Sequence, residues 1–226
     1  MEPKTILKTA ERRGLNAIAV TDHNTIAGGM KTLRLNEKHS IIVIVGAEIA
    51  TNIGDIIGLF LNEEIKSKDA LDVIYEIKSQ SGLVLIPHPF KMHKFDDIKP
   101  LMNNIDLLEG YNSRHPVTLE QMRSLKLMNK PLVAGSDAHF SREIGLSQTI
   151  LQCEVDDEEE IRKILLSGKI NIRGIFAPSY FEPMSQIIKG LNCKDLKILG
   201  WASINLMRSL FSRQYSNFNK SLLVIN

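Results

Sequence analysis

The sequence predicts an α/β protein built on a mainly parallel sheet, and three observations carry that prediction. Short apolar, β-branched runs alternate with segments of helical period across short connectors, the pattern of strand–helix repeats. His23, Glu48, His88, Asn112, Asp137 and His139 each fall at or just past the carboxyl end of a predicted strand. In a parallel barrel or open sheet those ends share one face, where such folds carry their active sites. The 226 residues, 43% hydrophobic and 24% charged, have the composition of one globular domain with a sizeable core.

The elements follow in order. Ile6, Leu7 and Ala10 at helical spacing, with Pro3 near the start and Gly14 as a stop, predict a helix over 4–13. Residues 17–20 read as a short buried strand running into Thr21-Asp22-His23. A helix over 26–38 leads to a strand over 41–47 that ends at Glu48, and 54–61 is a further strand. The helix expected over 68–80 closes at Ser81-Gly82. The strand 83–86 then runs into Pro87-His88-Pro89, and 105–108 into Glu109, Tyr111 and Asn112. A helix over 118–128 precedes 132–134, which runs into Gly135-Ser136-Asp137-Ala138-His139. Beyond residue 150 come a strand over 149–153, a helix capped by the acidic run 156–160 and stopped at Gly168, and a last strand over 169–173. Residues 196–211 read as an amphipathic or buried helix, and the tail from Ser212 is expected to be peripheral. The alternation opens on a helix, so a barrel built from this chain is expected to lack its first strand.

Composition narrows the function. Lys+Arg 28 against Asp+Glu 26 leaves a net charge of +2, which makes no electrostatic case for nucleic acid or an anionic membrane. Cys153 and Cys193 form neither a disulfide framework nor a CxxC site, and a reducing cytoplasm is the expectation. No stretch approaches the ~20 apolar residues of a membrane span, and the amino terminus lacks the apolar centre of a secretory signal.

Three histidines and two carboxylates on one face form a metal-ligand inventory. Asp137 and His139, at i and i+2, point the same way in extended backbone and can grip one ion together. Mixed imidazole and carboxylate donors suit Zn, Mn or Fe(II), and the absence of cysteine ligands argues against a structural zinc site. Glu48 ends an apolar strand, where a metal or an arginine partner would offset the cost of a buried carboxylate. Asp22 is expected to orient an imidazole. His39 and His115 are expected at the surface or partly buried and His93 on an exposed loop, none of them as ligands.

The segment Gly14-Leu15-Asn16-Ala17-Ile18-Ala19-Val20-Thr21-Asp22-His23-Asn24-Thr25 resembles the second motif of the polymerase and histidinol phosphatase (PHP) superfamily. Gly46-Ala47-Glu48-Ile49, Ile86-Pro87-His88-Pro89, Glu109-Gly110-Tyr111-Asn112 and Gly135-Ser136-Asp137-Ala138-His139 resemble its later motifs in the same order. The resemblance covers roughly residues 3–175 and is greatest to the small stand-alone phosphoesterases. It implies a distorted (β/α)7 barrel, the PHP fold, with two or three divalent ions, usually manganese, zinc or iron. On this chain His23, Glu48, His88, Asp137 and His139 match ligand positions, while Asn112 and Arg114 lie where the family approaches the substrate phosphate. Two departures stand out. The family opens with a strand ending in His-x-His, which this sequence does not contain. Where the family often has a histidine after the Glu-bearing strand, Gly54-Asp55-Ile56 stands instead. Asp55 is thus either a substitute oxygen ligand or an ordinary turn carboxylate.

The reading is a PHP-type phosphoesterase domain over 1–175 with a helical extension and tail over 176–226. It is expected to hydrolyse a small-molecule or nucleotide phosphomonoester through a metal-activated water, with His23 and His139 assisting proton transfer. A catalytically silent binding domain and a metal-dependent amidohydrolase are the alternatives. A small phosphate ester is the expected partner, without a membrane and with self-association through open barrel edges.

Overall fold

The computed structural model describes residues 1–37, 39–91, 98–115, 117–211 and 222–225. Its first half is α1 (Pro3–Arg12), β1 (Ala17–His23), α2 (Ala27–Leu35), β2 (Ile42–Thr51), β3 (Gly54–Leu59), α3 (Ala70–Ser79) and β4 (Leu83–Ile86). The second half is β5 (Leu107–Asn112), α4 (Leu119–Leu127), β6 (Leu132–Gly135), β7 (Ser147–Leu151), α5 (Glu158–Ser167), β8 (Ile170–Gly174), α6 (Phe181–Cys193), α7 (Leu196–Phe211) and β9 (Leu222–Ile225).

Strands β1 to β6 form one six-stranded sheet in sequence order, and β7, β8 and β9 form a second sheet. The mainly parallel sheet expected from the sequence is corrected to a mixed one. β1–β2, β4–β5 and β5–β6 are parallel, whereas β3 runs antiparallel to both β2 and β4. The cause is the connector: only Asn52 and Ile53 separate β2 from β3, and a loop that short can only return the chain as a hairpin. The reversal serves the site, because it brings the start of β3 to the end of the sheet where β2 carries Glu48. The tail expected to be peripheral contributes β9, which pairs antiparallel with β8; residues 212–221 lie outside the described residues.

Several local signals are realised as the chemistry requires. Asp157 caps α5 by accepting a hydrogen bond from the Glu160 N–H, with acidic residues along the first turn facing the positive end of the dipole. The same helix stops at Gly168 in the left-handed region, φ +69°. In α2, Gly28 is set by close approach: a Cβ there would lie 1.7 Å from Asp22 Oδ2.

The mixed sheet curls around an inner apolar layer. Ile44, Ile57, Leu85, Leu107 and Val133 pack with Ile161 and Leu165 of α5, which close one end. The outer face of the strands packs through Ile49, Ile56 and Ile86 against Val73 and Ile77 of α3. No described strand lies between β1 and β7, and a cavity of about 1030 Å³ runs between them. It extends from the inner apolar layer to Glu48, His88, Asp137 and His139 at the carboxyl end of the barrel. Among the described residues, no helix is long and apolar enough to cross a membrane.

Candidate metal centre

Strand pairing explains the first cluster. Glu48 pairs with Ile57 and Ala50 with Asp55, so both carboxylates point from the same face of the β2–β3 hairpin, one diagonal step apart. His88 follows β4, which pairs with β3. Glu48, Asp55 and His88 each offer a donor atom within 4.8 Å of the others. His88 Nε2 lies 3.1 Å from Glu48 Oε1 and 4.0 Å from Asp55 Oδ2. The sequence left Asp55 open between ligand and turn carboxylate; the structure puts it in this cluster.

The second cluster gathers on the loops after β5 and β6. His139 Nδ1 lies 3.5 Å from Asp137 Oδ1, and His115 Nε2 lies 3.5 Å from Asp137 Oδ2. His23, at the end of β1, stands between the clusters: its Nδ1 is 3.9 Å from Glu48 Oε2 and its ring centroid 6.3 Å from that of His139. The His88 and His115 rings meet edge to face at 5.4 Å. All the sequence-predicted ligands therefore converge on one end of the barrel.

Local backbone and electrostatics both act on these residues. His88 (φ +28°) and Asp137 (φ +49°) both adopt positive φ without being glycine, a strain that persists only where the surroundings enforce it. Burial would raise the Asp137 carboxyl, but the hydrogen bond from His115 and the charges of His139 and Arg114 outweigh it and hold the group down at about 2. Burial opposes protonation of His88, yet the hydrogen bond to Glu48 and the charges of Glu109, Glu48 and Asp137 prevail and raise its pKa. Burial pushes Glu109 up to about 7, although Asn112 Nδ2 and the His88 N–H donate to it. A register shift at Gly110 sets Glu109 against Gly135, where a Cβ would come within 2.2 Å of Glu109 Oε1.

Three expectations are corrected. Arg114 does not face a phosphate site: its guanidinium is bidentate on Glu143, with both side chains almost wholly buried, and also reaches Ser185. Asn112 borders the cavity but its amide is committed, Oδ1 accepting from the backbone N–H groups of Arg114 and His115 and Nδ2 donating to Glu109. Asp22 packs against Gly28 of α2 rather than against an imidazole, because successive residues of β1 point to opposite faces. His115 is partly buried, one of the two settings expected of it, with a side chain 16% exposed, and it faces Asp137. The signal that could have found it is its place three residues after Asn112, just past the end of β5. Lys91 was also unforeseen, with Nζ 2.5 Å from His115 Nε2. His39 is exposed as expected, and His93 lies outside the described residues.

The donor set fits a divalent transition ion. Among the described residues the ion-pair partners of Glu48 are two imidazoles, and His88 Nδ1 is buried without a hydrogen-bond partner. Two carboxylates and an imidazole converging in partly buried surroundings have the mixed oxygen–nitrogen chemistry of Zn, Mn and Fe(II) sites. Such an ion would offset the cost of burying them.

Comparison with known proteins agrees with this geometry. Residues 122–170 match a family described as PHP-associated. Over 90 residues the chain is 48% identical to the uncharacterized protein MJ1587 of Methanocaldococcus jannaschii, covering 39% of this chain and 53% of that one. The chain spans about half the length of the curated relatives it matches. Among solved structures it is similar to a two-domain protein from Bacteroides vulgatus containing a predicted PHP-like metal-dependent phosphoesterase. The TM-score is 0.68 at 20% identity, covering 76% of this chain and 60% of that one. It is also similar to an amidohydrolase from Chromobacterium violaceum solved with bound sulfate, with a TM-score of 0.53 at 13% identity, covering 75% and 92%.

Proposed function

We propose that this chain is a PHP-superfamily metal-dependent phosphoesterase acting on a small-molecule or nucleotide phosphomonoester, a reading supported by its PHP-associated segment and its fold. The observation that carries the proposal is the convergence of Glu48, Asp55 and His88 within 4.8 Å, with Glu48 and His88 lining one cavity together with Asp137 and His139, and His115 beside Asp137. In this reading Glu48, Asp55 and His88 hold one ion, and Asp137, His139 and His115 hold a second, with His23 placed to join either. Two or three ions of manganese, zinc or iron, when bound, supply Lewis acidity to the phosphoryl oxygens and a nucleophilic water at neutral pH. The chain's own residues do the rest. His23 and His139 are partly exposed at the cavity, where an imidazole can pass a proton to or from substrate. Lys91, beside His115, takes over the phosphate contact that buried Arg114 cannot make. The exposed, unpaired Cys153 and Cys193 suit a reducing cytoplasm.

The test is a panel of phosphomonoesters and amides assayed with added Mn2+, Zn2+ or Fe2+. Phosphate release that vanishes in His88→Ala supports the proposal. Amine release would move the chain to the amidohydrolase reading, which the Chromobacterium neighbour favours. Metal binding without turnover of either class would make this a silent binding domain.

A further inference from the structure

Arg114 and Glu143 form an ion pair that the metal centre as described does not use. Arg114 Nε donates to Glu143 Oε1 and Nη2 to Oε2, each at 2.8 Å, with side-chain exposures of 4% and 0%. Glu143 Oε2 also accepts from the backbone N–H groups of His139 at 2.9 Å and Phe140 at 3.0 Å. The third arm runs out of the barrel: Arg114 Nη1 donates to Ser185 Oγ at 3.1 Å, and that hydroxyl donates to the Glu182 carbonyl one turn earlier in α6. The Phe140 ring lies 5.4 Å from Phe181 at the start of the same helix. One buried carboxylate thus ties the Asp137–His139 loop to the loop carrying His115 and to α6.

Replacing a buried ion pair with apolar groups is often neutral for stability, so its value lies in orientation more than in holding the fold together. Here the oriented object is the Asp137–His139 loop, whose Asp137 sits at φ +49°. We infer that Glu143 and Arg114 are positioning residues for the Asp137–His139 ligand pair, and that α6 belongs to the metal centre through Ser185. This rests on the metal-centre reading above and adds a role for the segment after residue 175. Partners that orient ligands in this way typically cost 10–100-fold in metal affinity when removed.

The experiment is titration of the full chain with Mn2+ alone, followed by calorimetry, for wild type, Glu143→Gln, Arg114→Lys and Ser185→Ala, with thermal melting measured in parallel. Glu143→Gln is expected to weaken one class of Mn2+ site by about 10–100-fold and to leave the Glu48–Asp55–His88 class within about threefold. Arg114→Lys, which keeps the charge but not the fork, should recover part of that loss. Ser185→Ala should weaken the same class by a smaller factor without lowering the melting temperature. Wild-type affinities in a folded Glu143→Gln would overturn the inference. If that variant does not fold, Ser185→Ala decides: a selective loss supports the role of α6, and unchanged binding overturns it. A wild type that binds no Mn2+ would overturn the metal-centre reading and this inference together. Loss confined to the variants would leave the former standing.

Discussion

The two flanks of the metal centre are built differently. On the flank formed by β2, β3 and β4, Glu48 lies within the β2–β3 pairing and is 11% exposed, and His88, two residues past the end of β4, is 6% exposed with its backbone N–H donating to Glu109. On the other flank His23 sits at the end of an edge strand with its side chain 59% exposed, and His139 is 39% exposed on a loop. A buried ligand backed by strand pairing or by a backbone hydrogen bond keeps its place without an ion, because packing already determines its side-chain direction. A ligand on a loop beside an open cavity needs another restraint. Asp137 has one in His115, and the loop as a whole has one in Glu143. Preorganisation in this protein therefore follows burial: His23 is strand-paired with Glu48 and yet stays exposed.

The sharpest way to break the comparison is to remove a donor from each flank. His88→Ala should lower metal-dependent hydrolysis by about 10²–10³-fold, the scale of losing a preorganised electrostatic group. His23→Ala should cost about tenfold or less, because that exposed side chain is held by few contacts. Equal effects in the two variants, measured as kcat/KM on one phosphomonoester, would erase the distinction between the flanks.

Next in size is the contact that joins them. Gly135→Ala places a Cβ against the Glu109 carboxyl, which accepts the His88 N–H, so it strains both flanks at once. Overpacking of this kind costs about 1–3 kcal/mol, readable as a fall in urea midpoint at unchanged slope.

A smaller effect separates the flanks by pH. The Glu109 carboxyl, raised from its ordinary value near 4.5 to about 7, is penalised when charged, so the metal-free protein should lose stability as pH rises through that window. His88, with a raised pKa, loses its contribution in the same direction, as pH climbs through its folded value. Asp137, held at about 2, acts oppositely: its contribution is present above its ordinary value near 3.8 and disappears as pH falls toward 2. Denaturation from pH 3 to pH 8 without metal should show Glu109→Gln flattening the neutral limb and Asp137→Asn flattening the acid limb. A Glu109→Gln variant with the wild-type slope between pH 5 and 7 would contradict that assignment.

Much of this arrangement was legible before any coordinates. The end of each apolar run located Glu48, His88, Asp137 and His139, because strand boundaries are local and strand ends share a face. The acidic run 156–160 and Gly168 announced both ends of α5 through cap chemistry alone, and within that run Asp157 is the cap. The reversal of β3 was not legible, because the apolar run was read as ending at Glu48, five residues before the next strand, whereas β2 continues to Thr51 and leaves only two. The fate of Arg114 could not be read locally. Its partner Glu143 is 29 residues away and α6 supplies the third contact, so only the tertiary fold turns a free guanidinium into a buried one. The place of His115 beside Asp137 was missed for a related reason: it depends on what folds over the loop.

The account rests on Glu48, Asp55 and His88 gripping an ion, and the most direct measurement is metal content per chain for the wild type and His88→Ala. It is made by elemental analysis on protein purified without chelator or histidine tag and then equilibrated with Mn2+ or Zn2+. The account predicts at least one tightly held ion per wild-type chain and one fewer in a folded His88→Ala. Negligible metal in the wild type, or equal content in the two proteins, would contradict it.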